Sequence, residues 1–498
     1  MSGQSRYSQV VSVSMRRRIL LAAILAVVLA GCGSSASKPA ADPTASALSF
    51  FPAQTPFVMT IATNPNASSI KQAQALEGKF PIAKFAVTAL MGRLDALGID
   101  YQNEVRPLFG NPATIGAAGS SLSISGARSE FLFAWVTKSA SKLSALIAKL
   151  HIRKAGTRDG AQLYQSAGAA LAIDGATMVF GPSIAIVDAA LDRHAHGGGV
   201  TPAAYASDVS GLPQQASLMT AFGSLTGVLS QPSDAKARRV PWVAAIRAYA
   251  ASINAGSTGL TVQYHIDTSG TSISPSQLPI AAGTAAPSFV GQLPIDVGVR
   301  DPAQVISFVE AAAQITSPAS YASFASKELQ LKQKAGIDLN RFVALLNGNM
   351  VVASDTHTTI ARIEVSDPPT AARTLAKLAS APPSTLGKGT SIKSSGAGLY
   401  EVKQPTSTLT IGVVGNQFVV GKATPSEVRA FAAAPTTPAT GAAGSVAFRV
   451  SLPDLLRLTF KSQPSQEEQA ILNSLGDLSG WASASPSGLT GSATLGLQ

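Results

Sequence analysis

Two stretches of this chain repeat each other at a fixed distance, which restricts the fold to one design used twice. Leu97-Gly98-Ile99-Asp100 closing on Leu108-Phe109-Gly110-Asn111 meets Ala335-Gly336-Ile337-Asp338 closing on Leu346-Asn347-Gly348-Asn349, both at an offset of 238 residues. Further segments coincide in the same order at similar offsets. Thr55-Pro56-Phe57-Val58 meets Leu293-Pro294-Ile295-Asp296, and the apolar run from Phe131 to Val136 meets that from Thr359 to Val365. Leu163-Tyr164 meets Leu399-Tyr400, Ala216 to Phe222 meets Gly444 to Val450, and Ser257 to Thr261 meets Pro486 to Thr490. The expectation is two homologous lobes, residues 50–268 and 293–498. They are joined by a Ser, Thr, Gly, Ala and Pro linker over residues 269–292.

Each lobe reads as strand, helices, several short strands, then a helix before a closing strand. Ile411 to Val414 and Val446 to Val450, bounded by Gly and Asn, read as adjacent strands joined by tight turns. The expected fold class is therefore α+β, each lobe a mainly antiparallel sheet with helices on one face. Asp338 is placed to cap a helix carrying Phe342, Leu345 and Leu346 on one face and stopping at Gly348; Asp100 and Gly110 match it in the first lobe. Trp242, Val243, Ile246, Tyr249 and Ile253 recur at helical spacing, as do Ile471, Leu472, Leu475 and Leu478.

The N-terminus carries an address. Arg16, Arg17 and Arg18 precede an apolar run from Ile19 to Leu29, then Ala30-Gly31-Cys32. A basic start, a short apolar stretch and small residues at its end are the layout of an export signal, and the run is too short for a stable membrane span. Met1 and Met15 both remain open as the start. Leu29-Ala30-Gly31-Cys32 resembles the bacterial lipobox, in which the cysteine thiol is alkylated by a diacylglyceryl group and the signal, here residues 1–31, is removed. The thioether needs a thiolate nucleophile, and Cys32 is the only cysteine in the chain. Two acyl chains suffice for stable anchoring where one does not. Residues 32–49 then read as the lipidated cysteine and a flexible tether. The expected location is the extracytoplasmic face of the cell membrane.

A lone cysteine excludes internal disulfides and cysteine-based metal clusters. The formal charge of +11 falls to +7 once the four leader arginines are removed, and only 13% of residues are charged. The densest basic cluster is Lys236, Arg238, Arg239 and Arg247 around Trp242. It reads as a solvated helix face, or as weak attraction to anionic lipid or wall polymers, and nucleic acid is not expected.

Searching for chemistry yields weak signals. His194 and His196, with Asp188 and Asp192, form a His-x-His tract before Gly197-Gly198-Gly199, read as a mobile glycine loop in preference to a metal site. Ser68-Ser69-Ile70-Lys71 and Ser139-Ala140-Ser141-Lys142 match Ser-x-x-Lys, but the companion Ser-Asp-Asn and Lys-Thr-Gly are missing, so they read as helix-start serines. Gly415 to Thr424 has the wrong spacing for a phosphate loop and reads as a strand. No metal, cofactor or catalytic residue is assigned.

The lipobox, the lead-in at residues 51–58, Gly98-Ile99-Asp100 closing on Phe109-Gly110, and the strand pair ending Gly415-Asn416-Gln417-Phe418-Val419-Val420-Gly421 together resemble an uncharacterised group of exported actinobacterial proteins classed as a domain of unknown function. That resemblance implies no reaction or cofactor and supplies no catalytic residues. The expected function is a non-catalytic, lipid-anchored envelope protein that binds a ligand or partner, whether an envelope protein, a wall polymer or a hydrophobic molecule. One alternative is a carrier of lipid or another hydrophobic molecule, which predicts a large apolar pocket within a lobe. A second is a hydrolase pairing a serine with Lys71 or Lys142. A solute-binding transporter subunit fits poorly with antiparallel strands.

Overall fold

In a computed structural model, the structure describes residues 42–77, 91–120, 130–166, 168–213, 217–229, 232–268, 272–283, 285–382, 386, 389–459 and 464–498. The protein has an α+β fold that divides into two compact units. The first comprises residues up to 232 with 247–265 and Leu497; the second comprises 233–246, 266–496 and Gln498.

In the first unit the elements run α1 (Pro43–Leu48), β1 (Val58–Ile61), α2 (Ser68–Glu77), β2 (Ala113–Ala117), β3 (Phe131–Val136), α3 (Ala140–Lys149), β4 (Arg153–Arg158), β5 (Ala161–Ser166), β6 (Ala169–Asp174), β7 (Thr177–Gly181), α4 (Ile184–His196), β8 (Met219–Ser224) and β9 (Ala248–Ala255). Every pairing is antiparallel. Strand β1 lies between β2 and β8, β2 pairs β3, β3 pairs β7, β4 through β7 form a meander, and β8 pairs β9.

Strand β3 explains how the helices are placed. Its run Phe-Leu-Phe-Ala-Trp-Val is apolar on both sides, so alternate residues serve two cores. Phe133 and Trp135 pack with Leu143, Leu146 and Ile147 of α3, while Leu132 and Ala134 join Val187, Ala190 and Leu191 of α4 and Ala47 and Leu48 of α1. Helices therefore cover both faces of this sheet, which corrects the one-face expectation. Ala47 and Leu48, which composition assigns to the tether, are fully buried on α1, so residues 43–48 belong to the folded body.

The second unit contains β10 (Ile295–Arg300), α5 (Pro302–Thr316), α6 (Pro318–Ala335), α7 (Leu339–Val343), β11 (Asn349–Ser354), β12 (Thr359–Glu364), α8 (Pro368–Ala379), β13 (Ser391–Gly396), β14 (Leu399–Lys403), β15 (Thr408–Val414), β16 (Gln417–Lys422), α9 (Pro425–Ala433), β17 (Val446–Ser451), α10 (Gln466–Ser474) and β18 (Leu475–Ser485). Strand β10 lies between β11 and β17, β11 pairs β12, β12 pairs β16, β13 through β16 form a meander, and β17 pairs β18. Two cores again flank the sheet. Ile360 packs with Val428 and Phe431 of α9, and Ile363 with Ala371 of α8. Strands β15 and β17 are not neighbours, contrary to expectation; β15 turns tightly into β16 through Gly415, whose φ of 62° suits a two-residue hairpin. Ile273 and Leu278, from the stretch read as linker, are buried with Trp242 and Ala245 in a further cluster of this unit.

Two expected helices are shorter. Only Pro241–Ala245 is helical, and Tyr249 and Ile253 lie on β9, where Ala248, Ala250, Ser252 and Asn254 alternate inward. Small residues at every second position fit a pleated strand against β8, and that pairing overrides the helical spacing. Likewise α10 ends at Ser474, and Leu475 and Leu478 belong to β18.

Candidate functional site

A charged concavity lies inside the second unit, between α7 and α8. Helix α6 ends at Gly336 in the left-handed conformation, with the N–H groups of Gly336 and Ile337 donating to Lys332 and Leu331 carbonyls. That turn delivers Asp338 as the cap of α7, accepting from the Arg341 N–H at 3.1 Å. The Lys332 ammonium, 2.8 Å away, is the main reason that the Asp338 carboxyl sits below the usual carboxylate range. The helix is one short turn that ends at Val343. Gly348 is not its cap; glycine is required there because a Cβ would strike the Glu364 side chain on β12.

Helix α8 begins at Asp367-Pro368. Asp367 accepts from the Thr370 N–H at 3.0 Å and its hydroxyl at 2.5 Å, and these bonds hold its carboxyl low. The next turns place Thr370, Arg373, Thr374 and Lys377 on one face at i, i+3, i+4 and i+7, while Ala371 and Leu375 face the core. Packing brings the two helices together: Phe342, Leu345 and Ala371 share one apolar cluster, the Ser366 N–H bonds the Leu345 carbonyl, and Phe342 meets the Phe418 ring edge-on at 5.2 Å.

The resulting cleft has a volume of about 260 Å³, lined by Gly336, Asp338, Arg341, Phe342, Leu345, Thr370, Arg373, Thr374 and Lys377. Three cations face one carboxylate, and that carboxylate is engaged by Lys332. Arg373 donates to Thr370 Oγ1 at 2.7 Å, and among the described residues Arg341, Arg373 and Lys377 form no salt bridge. In the first unit, after Gly98-Ile99-Asp100, the chemistry differs: Lys149 is paired with Glu104 at 2.8 Å. Lysine also keeps the Glu104 carboxyl below its ordinary range.

Cys32, Leu29, Ala30 and Gly31 lie outside the described residues. His194 and His196 stand on the last turn of α4 and not in a loop; Gly197, at φ 85°, follows the helix. Residues two apart on a helix point to different sides, so the pair does not converge on one ion. His194 instead stacks on Phe50 at 4.3 Å, and its Nδ1 lies 2.5 Å from Ser49 Oγ. The Ser49 hydroxyl also donates to the Ser46 carbonyl at 2.7 Å, at the C-cap of α1. Ser139 caps α3 through the Lys142 N–H, and Ser68 opens α2. Among the described residues, no three histidine, cysteine or acidic side chains group to hold a metal.

An enclosed apolar cavity of about 20 Å³ lies in the first unit among Leu94, Ile99, Phe109, Trp135, Leu146 and Met178. Its size is that of a packing defect and does not take an acyl chain. Among the described residues no helix is long and apolar enough to cross a membrane.

Sequence reasoning passed over the cleft because Arg341, Arg373 and Lys377 match no motif. The available signal was the i, i+4 pair of like charges at Arg373 and Lys377, a mildly unfavourable arrangement on a bare helix. Comparison with known proteins places the chain in a family: it belongs to the proteins described as "Protein of unknown function (DUF3352)", matched over residues 18–440. No curated protein matches. Solved structures of TP0453 are similar at 8% identity for crystal form III, over 48% of this chain and 84% of that one, and 11% for crystal form I, over 48% and 83%. The TM-score is 0.27 in both, a level that says nothing about ligand or role.

Proposed function

We propose that this protein is exported, held by a lipidated Cys32 on the outer face of the cell membrane, and binds a ligand or partner without transforming it. The observation that carries the binding part is the cationic cleft of the second unit, where Lys332, Arg341, Arg373 and Lys377 outnumber Asp338 and Asp367. An excess of positive charge at a concave site favours an anionic guest. The anchoring part draws support from Leu29-Ala30-Gly31-Cys32 behind three arginines, with the only cysteine of the chain at the modified position. In the same reading the two units are copies of one design. The support is that β1 through β9 and β10 through β18 pair in the same order, strand for strand. The non-catalytic part is supported by the helix-capping roles of Ser49 and Ser139.

The test is made on protein extracted from its own membranes. Wild-type chain is expected in the membrane fraction with a diacyl mass on Cys32, and Cys32→Ser is expected in the soluble fraction. Native mass spectrometry and crosslinking are expected to recover a bound molecule or partner from the wild type. Recovery of neither, with Cys32 unmodified, would sink the proposal.

A further inference from the structure

We infer that the cleft between α7 and α8 receives a phosphomonoester dianion, a proposal that rests on reading this cleft as the ligand site. Charge, donor geometry and floor each narrow the class. Lys332, Arg341, Arg373 and Lys377 stand against Asp338 and Asp367, so the cleft and its immediate surroundings are short of about two negative charges, the charge of a phosphomonoester near neutral pH. Asp367, which accepts from the N–H and hydroxyl of Thr370, also feels Arg373 and Arg341 and belongs in that balance. Arg341 from one helix and Arg373 and Lys377 from the other offer three cationic groups to the three terminal oxygens of a phosphomonoester. A carboxylate presents only two oxygens, and arginine forks suit phosphate well. Phe342 and Leu345, half-buried, add an apolar wall for the organic part of the guest. The volume of about 260 Å³ is below that of drug-sized pockets, so the guest is a small ester or the headgroup of a larger molecule. A soluble phosphate ester and a phosphorylated lipid headgroup share this chemistry.

The experiment titrates the full chain with phenyl phosphate by calorimetry, with benzoate as the carboxylate comparison. Phenyl phosphate is expected to bind at least ten-fold tighter than benzoate, and to weaken as pH falls below about 6, where the dianion takes up a proton. Arg341→Gln and Arg373→Gln are each expected to weaken it ten-fold or more, and Lys377→Gln several-fold. Arg373→Lys, which keeps the charge, is expected to weaken it less than Arg373→Gln. Arg429→Gln, an exposed cation on α9, is expected to leave it unchanged. Circular dichroism of each variant separates a lost site from a lost fold. In a second arm, vesicles containing phosphatidate are compared with phosphatidylcholine vesicles. Retention that phenyl phosphate competes away and Arg373→Gln abolishes supports a lipid headgroup; binding of phenyl phosphate without vesicle retention supports a soluble ester. Unaltered phenyl phosphate binding in Arg341→Gln and Arg373→Gln overturns the proposal, as does absence of binding by the wild type. If the wild type ignores phenyl phosphate but carries another molecule that Arg373→Gln loses, the phosphate assignment falls and the binding reading stands. If neither occurs, both fall.

Discussion

Asp296 is fully buried on β10, directly across from Arg449 on β17. One Asp296 oxygen accepts from the Gly291 N–H at 3.3 Å; the other has no hydrogen bond and relies on the Arg449 guanidinium 3.7 Å away. Burial is the main cause that pushes this carboxyl above the usual carboxylate range, with Gly291 and Arg449 opposing it. Arg449→Met removes the counter-charge. At 3.7 Å and an effective dielectric of about 20 the attraction is roughly 4 kcal/mol. Arg449 is 37% exposed and its contact is long, so screening reduces the expected loss to about 2 kcal/mol at neutral pH.

The loss has a sign in pH. A carboxyl raised in the folded state keeps its proton where the unfolded chain has released it, so its contribution is complete below the unfolded value and declines as pH rises through the folded value. Without Arg449 the folded value moves further up and the decline deepens. Urea unfolding of the full chain at pH 4.5 and 7.5 measures this: Arg449→Met should lie close to wild type at the lower pH and clearly below it at the higher. Adding Asp296→Asn should restore most of the difference, since the neutral amide has no charge to strand. An equal loss at both pH values, or no recovery in the double variant, refutes the electrostatic account.

Other perturbations follow from equally local causes. Arg362, 5% exposed on β12, donates to the carbonyls of Phe431, Ala432 and Ala434 at the end of α9. Arg362→Leu strands those acceptors and should cost about 2 to 4 kcal/mol in chemical denaturation, with Arg362→Lys losing less. Gly415 has open space around it but a φ of 62°, so Gly415→Ala should lower stability by about 1 kcal/mol through backbone conformation alone, while Gly415→Asn stays close to wild type in a thermal melt. A fluorophosphonate serine probe followed by peptide mass spectrometry should leave Ser49 unlabelled, because its hydroxyl serves the Ser46 carbonyl; labelling there would revive the hydrolase alternative.

Local signals were read well where the chemistry is local. Asp338 and Asp100 show their capping role in the spacing to Arg341 and Asn103, and Gly415-Asn416 announces a hairpin from two residues. The misread segments are those decided by distant partners. Residues 242 to 253 carry apolar spacing that suits a helix, yet β8 lies alongside Ala248–Ala255 and recruits it as a strand. Similarly, helices on both faces follow from the continuous apolar run of β3, whose two sides alternation alone would not separate. The cleft was hidden for a plainer reason: Arg341 and Arg373 are far apart in the chain and meet only because Phe342, Leu345 and Ala371 share a core.

Helix α1 also has a bearing on reach. Asp42, the capping residue of α1, is the tenth residue after the proposed lipid site at Cys32. Ten residues span at most about 36 Å in any arrangement. With the proposed lipid in place, a leash of that length would keep the first unit close over the bilayer, so whatever this protein meets would have to arrive within a few nanometres of the headgroups. A long flexible arm could patrol the wall; this one would confine its cargo to the membrane's own boundary layer.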